Sequence, residues 1–141
     1  MQQALTLKLS RARAALFAGA AIFCALSSAA AQNTVGSEDY RARQQSLTQL
    51  SEIFGELHHI RRLCAPRREA DVWRERMKRL VNLEDPDAAQ RNAMVEAFNK
   101  GYRTAQRQFI RCDRPAENRA ADRAARGEAL VASLAEPLRA R

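Results

Sequence analysis

His58 and His59 are the only histidines of the 141-residue sequence. With Glu52, Glu56 and Cys64 they supply the residue types of a transition-metal site. Glu56-x-x-His59 has the i, i+3 spacing that sets a carboxylate and an imidazole on one helix face, as in di-iron bundles. Such sites need a second pair of this kind, and with two histidines in all there is none. Helical geometry also separates the histidines. With Leu57 at the centre of the apolar stripe and about 100° per residue, His59 falls about 200° away, towards solvent, and His58 about 100° away, at the core's edge. No metal and no cofactor is expected. A Cys–His nucleophile pair is the remaining chemistry here, and oxidation of the cysteine removes it. No catalytic residue is expected, and the protein reads as non-enzymatic.

Three further groups are candidates for recognition. Gly55 interrupts a good helix at a cost of about 0.5–1 kcal/mol relative to Ala, and on the same wheel it falls about 160° from Leu57, opposite the core. With Glu52, His59 and Arg62 it forms a notched polar strip, a docking surface for a partner helix or ligand; the alternative is a tolerated surface glycine. Asn99, Tyr102 and Arg103 border the apolar face of a later helix as a second polar group. Gly101 lies on the core side of that helix, where the missing side chain lets another helix approach. Arg61, Arg62, Arg67 and Arg68 cluster around Cys64, and Arg111 and Arg114 flank Cys112. If the two cysteines meet, these six guanidiniums form a crown suited to bidentate contacts with phosphate or carboxylate.

The elements that must position these groups are helices. The first helix begins near Ser37 and ends before Pro66, and its residues Leu47, Leu50, Ile53, Phe54, Leu57, Ile60 and Cys64 recur at spacings of three and four, a stripe of about five turns. A second helix spans about 68–83, with Val72, Trp73, Met77, Leu80 and Val81 on one side. Asp85 and Pro86 form a start signal for a third, as N-cap and first helical residue. Its face is Met94, Val95, Phe98, Tyr102, Ala105, Phe109 and Cys112. After Asp113-Arg114-Pro115 a fourth runs over about 116–138, with the small-residue stripe Ala120, Ala124, Gly127, Val131, Leu134 and Leu138. No strand-like alternation and no internal repeat is present. The chain reads as an all-α, up-down bundle of about four helices in one domain, residues 38–141. In that topology the first and third helices run the same way, so Cys64 and Cys112 lie at one end and pair as a disulfide.

Residues 1–31 have the form of a secretory signal peptide. Lys8, Arg11 and Arg13 precede the apolar run Ala14–Leu26, and Ala29-Ala30-Ala31 offers small residues before a cut at Gln32. Cys24 does not make a lipoprotein signal, because Phe23 stands where a small residue is needed. The apolar run is too short for a bilayer core of about 30 Å, and no transmembrane segment is expected in the mature chain. Residues 32–37 read as a flexible leader. Export by the general secretory route to the periplasm removes three positive charges and takes the formal charge from +8 to +5. It also leaves Cys64 and Cys112 as the only cysteines, in a compartment that permits a disulfide.

Several runs resemble a family of small secreted alphaproteobacterial proteins of unknown function. They are Leu50-Ser51-Glu52-Ile53 with Gly55, Leu57-His58 and Arg61 to Cys64; Trp73-Arg74 with Met77 and Leu80; Ala97-Phe98-Asn99-Lys100-Gly101-Tyr102-Arg103; and Cys112. The resemblance covers about residues 45–130. It departs at His59, where an aromatic such as Tyr is expected. It implies an exported helical protein and assigns no activity.

The expected function is an interaction or structural module of the cell envelope, meeting an envelope protein partner through the Gly55 strip or the Asn99 surface. The alternative is an anion-binding module that takes phosphate-rich envelope polymers or lipid headgroups on the arginine crown. Export argues against nucleic acid as the partner.

Overall fold

A computed structural model describes residues 36–139. The expected signal peptide and residues 32–35 of the expected leader lie outside the described residues; Gly36 and Ser37 are already helical. The fold is that of the compact unit 42–141. It is all-α. α1 covers residues 36–64, α2 is the single turn Pro66–Glu69, α3 is Val72–Glu84, α4 is Ala88–Gln108 and α5 is Arg114–Arg139. Among the described residues no helix is long and apolar enough to cross a membrane.

α1 is the axis of the bundle. Leu47, Leu50, Ile53, Leu57 and Ile60 are buried as their spacing predicts, each contributing about 1.5–3 kcal/mol relative to exposure. From Gly55 to Ile60, however, six consecutive residues are buried. A helix covered all round is a central helix. Cross-helix contacts fix the directions of its neighbours. Gln90 reaches the Gln44 carbonyl oxygen, Lys100 reaches Glu52 and His59 meets Phe109, so α4 runs parallel to α1. Glu84 binds Arg43 while Trp73 packs on Phe54, so α3 is antiparallel. Glu56 meets Arg119 and Arg43 donates to the Leu134 carbonyl oxygen, so α5 is antiparallel as well. This is the up-down-up-down path, and it brings Cys64 and Cys112 into a disulfide with Cα atoms 5.0 Å apart.

The core falls into two clusters along this axis. Near the disulfide end, Ile53, Leu57, Ile60, Trp73, Ala105, Ala116 and Ala120 pack together. Towards the other end, Leu47, Met77, Val81 and Met94 do the same. Phe54 packs against both clusters and joins them.

Several boundaries differ from the sequence expectation. Pro66 ends α1 and also opens α2 at its first position, where its missing N–H costs nothing. The 84–87 turn uses its acids differently as well. Asp85 is the C-cap of α3 in the left-handed region, φ 40°, with its N–H on the Val81 carbonyl oxygen, and Asp87 caps α4 by accepting from the Gln90 N–H at 2.8 Å. Asp tolerates both roles because its short side chain satisfies local backbone groups. α4 ends at Gln108 with Phe109 extended, so Cys112 sits in the loop and not on the helix. α5 starts at Arg114, with Asp113 Oδ1 accepting from the Ala116 N–H at 3.0 Å.

Candidate functional site

Gly55 faces α4 and not solvent. A Cβ there would overlap the Phe98 carbonyl oxygen and lie 2.8 Å from the Phe98 carbonyl carbon and 2.9 Å from the Tyr102 nitrogen. The contact is reciprocal, since a Cβ on Gly101 would overlap the Glu52 carbonyl oxygen and lie 3.1 Å from the Glu56 nitrogen. α1 and α4 therefore touch backbone to backbone, an approach that only glycine permits. The expected docking strip is overturned by this crossing. Gly55 and His59 are buried, Glu52 is half-buried and paired with Lys100 at 3.1 Å, and only Arg62 stays exposed. A wheel with one core-facing side puts Gly55 and His59 outside, whereas α1 is buried on every side from Gly55 to Ile60.

The histidines are part of the same interface. His58 lies between the Phe98 and Tyr102 rings, with centroids 5.8 and 5.7 Å away. His59 meets Tyr102 edge-on at 5.4 Å, and its Nε2 lies 2.8 Å from the Phe109 carbonyl oxygen. A carbonyl only accepts, so His59 Nε2 carries the proton in that bond. Both histidines are thus inside, against the sequence expectation of solvent and core edge. Tyr102 is turned in upon them, while Asn99 and Arg103 are exposed, so the expected Asn99-Tyr102-Arg103 group is split between the two sides of α4. Among the described residues no three metal-ligand side chains come together.

Burial holds the His58 pKa below its ordinary value, and the nearby Arg62 and Arg74 guanidiniums push the same way; Asp71 opposes them and His59 adds a little. The unfolded chain therefore binds a proton more readily than the folded one. The stability this confers is complete above about pH 6.5 and is lost as pH falls through the folded value. Chemical denaturation between pH 8 and 5 is expected to show weakening below about pH 6.5, and His58→Phe, which keeps a ring between Phe98 and Tyr102, is expected to flatten that decline. An unchanged slope in the variant would place the titration elsewhere.

Glu56 is a residue whose importance the sequence does not announce. It is buried, and its Oε2 accepts from Arg119 Nε at 2.9 Å and from Arg123 Nε at 3.0 Å. A lone carboxylate inside the bundle would be costly, and the two arginines on successive turns of α5 supply the pairing that offsets its desolvation. The i, i+4 spacing of Arg119 and Arg123 is the only sequence signal for this clamp, and it is equally that of a solvated face.

The disulfide end gathers the arginines. Arg62, Arg67, Arg68 and Arg114 are exposed and have no acidic partner among the described residues. Arg61 lies 3.6 Å from Glu69 and Arg111 lies 3.6 Å from Asp113. The elements carrying these six are joined by Cys64–Cys112.

A cleft of about 340 Å³ opens between α1, α3 and α5. Its floor is Leu50, Ile53, Phe54 and Leu57, one wall is Trp73, and the other is the small face of α5 from Ala124 to Ala132. Small residues on α5 are why the space exists. Sequence periodicity marks that stripe as core but does not show that it is underfilled.

A four-helix all-α bundle closed by one disulfide, with a charged end and an apolar cleft, is the class of protein these features define. A family model described as Protein of unknown function (DUF2385) matches residues 42–137, and the chain belongs to that family. No curated protein and no solved structure matches it.

Proposed function

We propose that the protein is a non-enzymatic module of the cell envelope that binds a phosphate-rich polymer or lipid headgroup through its arginine end. The observation that carries this reading is the set of four exposed guanidiniums, Arg62, Arg67, Arg68 and Arg114, left without acids at the end tied by Cys64–Cys112. On α3, Arg74 and Lys78 are paired with the acids Asp71 and Glu75, while Arg76 has no such partner among the described residues. Guanidiniums are suited to phosphate because each offers two parallel donors. The disulfide also fits an exported protein, since such bonds persist in oxidising compartments.

The test is retention on lipid A or heparin. Replacing Arg62, Arg67, Arg68 and Arg114 together with Gln is expected to weaken binding at least about a hundredfold at low salt, at about 1 kcal/mol per guanidinium near an anionic surface. The melting temperature should barely move, because these side chains are exposed. Equal retention of the variant would overturn the proposal.

A further inference from the structure

The lining of the cleft between α1, α3 and α5 includes a cation, the exposed Arg76. The Arg76 guanidinium lies over the Trp73 ring, 4.4 Å from its centroid, and has no acidic partner among the described residues. Trp73 is itself held from two sides, by Nε1 donating to Glu69 Oε2 at 3.1 Å and by Phe54 at 5.7 Å between ring centroids. The cation is thus set in the lining of an apolar slot by a fixed aromatic platform. We infer that this slot binds a single-chain amphiphile, its acyl chain between Trp73 and the small face of α5 and its anionic head on Arg76.

Size and chemistry both lead to that class. The volume of about 340 Å³ is at the lower end for ligand sites, which run from about 300 to 1,000 Å³. From Ala124 to Ala132 the α5 wall rises about 12 Å, at about 1.5 Å per residue. That matches an extended chain of about ten carbons with bonds of about 1.5 Å. The lining contains no charged side chain besides Arg76 and Glu128, so the body of the ligand must be apolar. Glu128 shares the lining and repels an anionic head, so it sets the sign of a control. The inference does not depend on the arginine end, whose residues are absent from the cleft.

Trp73 is the only tryptophan and lines the slot, so it reports occupancy. Titrating the protein with decanoate below its micelle concentration is expected to change Trp73 fluorescence saturably. Octanoate should bind about tenfold more weakly, since each buried methylene contributes about 0.8 kcal/mol. Decanol should bind more weakly than decanoate, and Arg76→Gln should remove that difference while Glu128→Gln widens it. Gly127→Met fills the slot: its first side-chain carbon would lie at ordinary contact, 3.6 Å from Ile53 Cγ2 and 3.7 Å from Leu50 Cδ1. This variant should lose binding and keep its fold. No saturable response, a response unchanged in Gly127→Met, or equal binding of decanoate and decanol would each overturn the inference.

Discussion

Gly55→Ala and Gly101→Ala are each expected to lower stability by more than about 3 kcal/mol, the upper range of overpacking in a folded interior. In a helix exposed to solvent the same change would stabilise by roughly 1 kcal/mol, because alanine is the better helix former. The sign therefore reports the α1–α4 crossing directly. At Gly55 the added carbon meets the Phe98 carbonyl and the Tyr102 nitrogen, and at Gly101 it meets the Glu52 carbonyl and the Glu56 nitrogen. These are backbone atoms of helices, which cannot swing aside as a side-chain tip can. The helices must separate, and separation also opens the packing of His58 on Phe98 and Tyr102. Both alanines force the same movement, so the double variant should cost less than the sum of the two single ones. Gly127→Ala supplies the contrast within the same protein: its Cβ would make ordinary contacts at 3.6 and 3.7 Å, and it should stabilise. Urea unfolding of the three variants decides the matter. Stabilisation by Gly55→Ala would show that the helices do not touch there.

The parts of the fold legible in the sequence are those governed by simple periodicity. Leu47 to Ile60 at spacings of three and four place the apolar face of α1, and the parallel course of α1 and α4 is enough to pair Cys64 with Cys112. What periodicity does not carry is the number of neighbours around a helix. A wheel with one buried side puts Gly55 and His59 outside. In the bundle α4 covers them, and Gly55 is glycine because of that cover. Glu56 is obscured for a related reason, since its partners Arg119 and Arg123 lie 63 and 67 residues away in sequence and their spacing is that of any charged surface. Turn chemistry misleads locally: both Asp85 and Asp87 are good capping residues, and only the backbone shows that the first closes α3 while the second opens α4. The cleft is hidden because alanine and glycine on α5 mark a core face without showing what fills the opposite side.

Loss of the disulfide is the other large effect expected. Cys64 and Cys112 are 48 residues apart, and closing a loop of that length stabilises by about 4 kcal/mol in the chain-entropy account. For a domain of this size that corresponds to a fall in melting temperature of about 15–30 °C on reduction or in Cys64→Ser with Cys112→Ser. The bond does not act alone on the α4–α5 loop. His59 donates to the Phe109 carbonyl oxygen, three residues before Cys112, and Asp113 caps α5 through the Ala116 N–H immediately after it. The reduced protein is therefore expected to keep its helices while losing stability, because its loop is still fastened on both sides of the missing link. His59→Phe preserves the ring against Tyr102 but removes the hydrogen bond. It should cost about 1 kcal/mol in the oxidised protein and more in the reduced one, where the covalent tie between α1 and the loop is gone. Melting the four combinations with and without reductant measures the coupling. A reduced protein that melts with the oxidised one would show that the end of α1 and the α4–α5 loop are held together without the bond, and strictly additive effects would remove His59 from any part in fastening the loop.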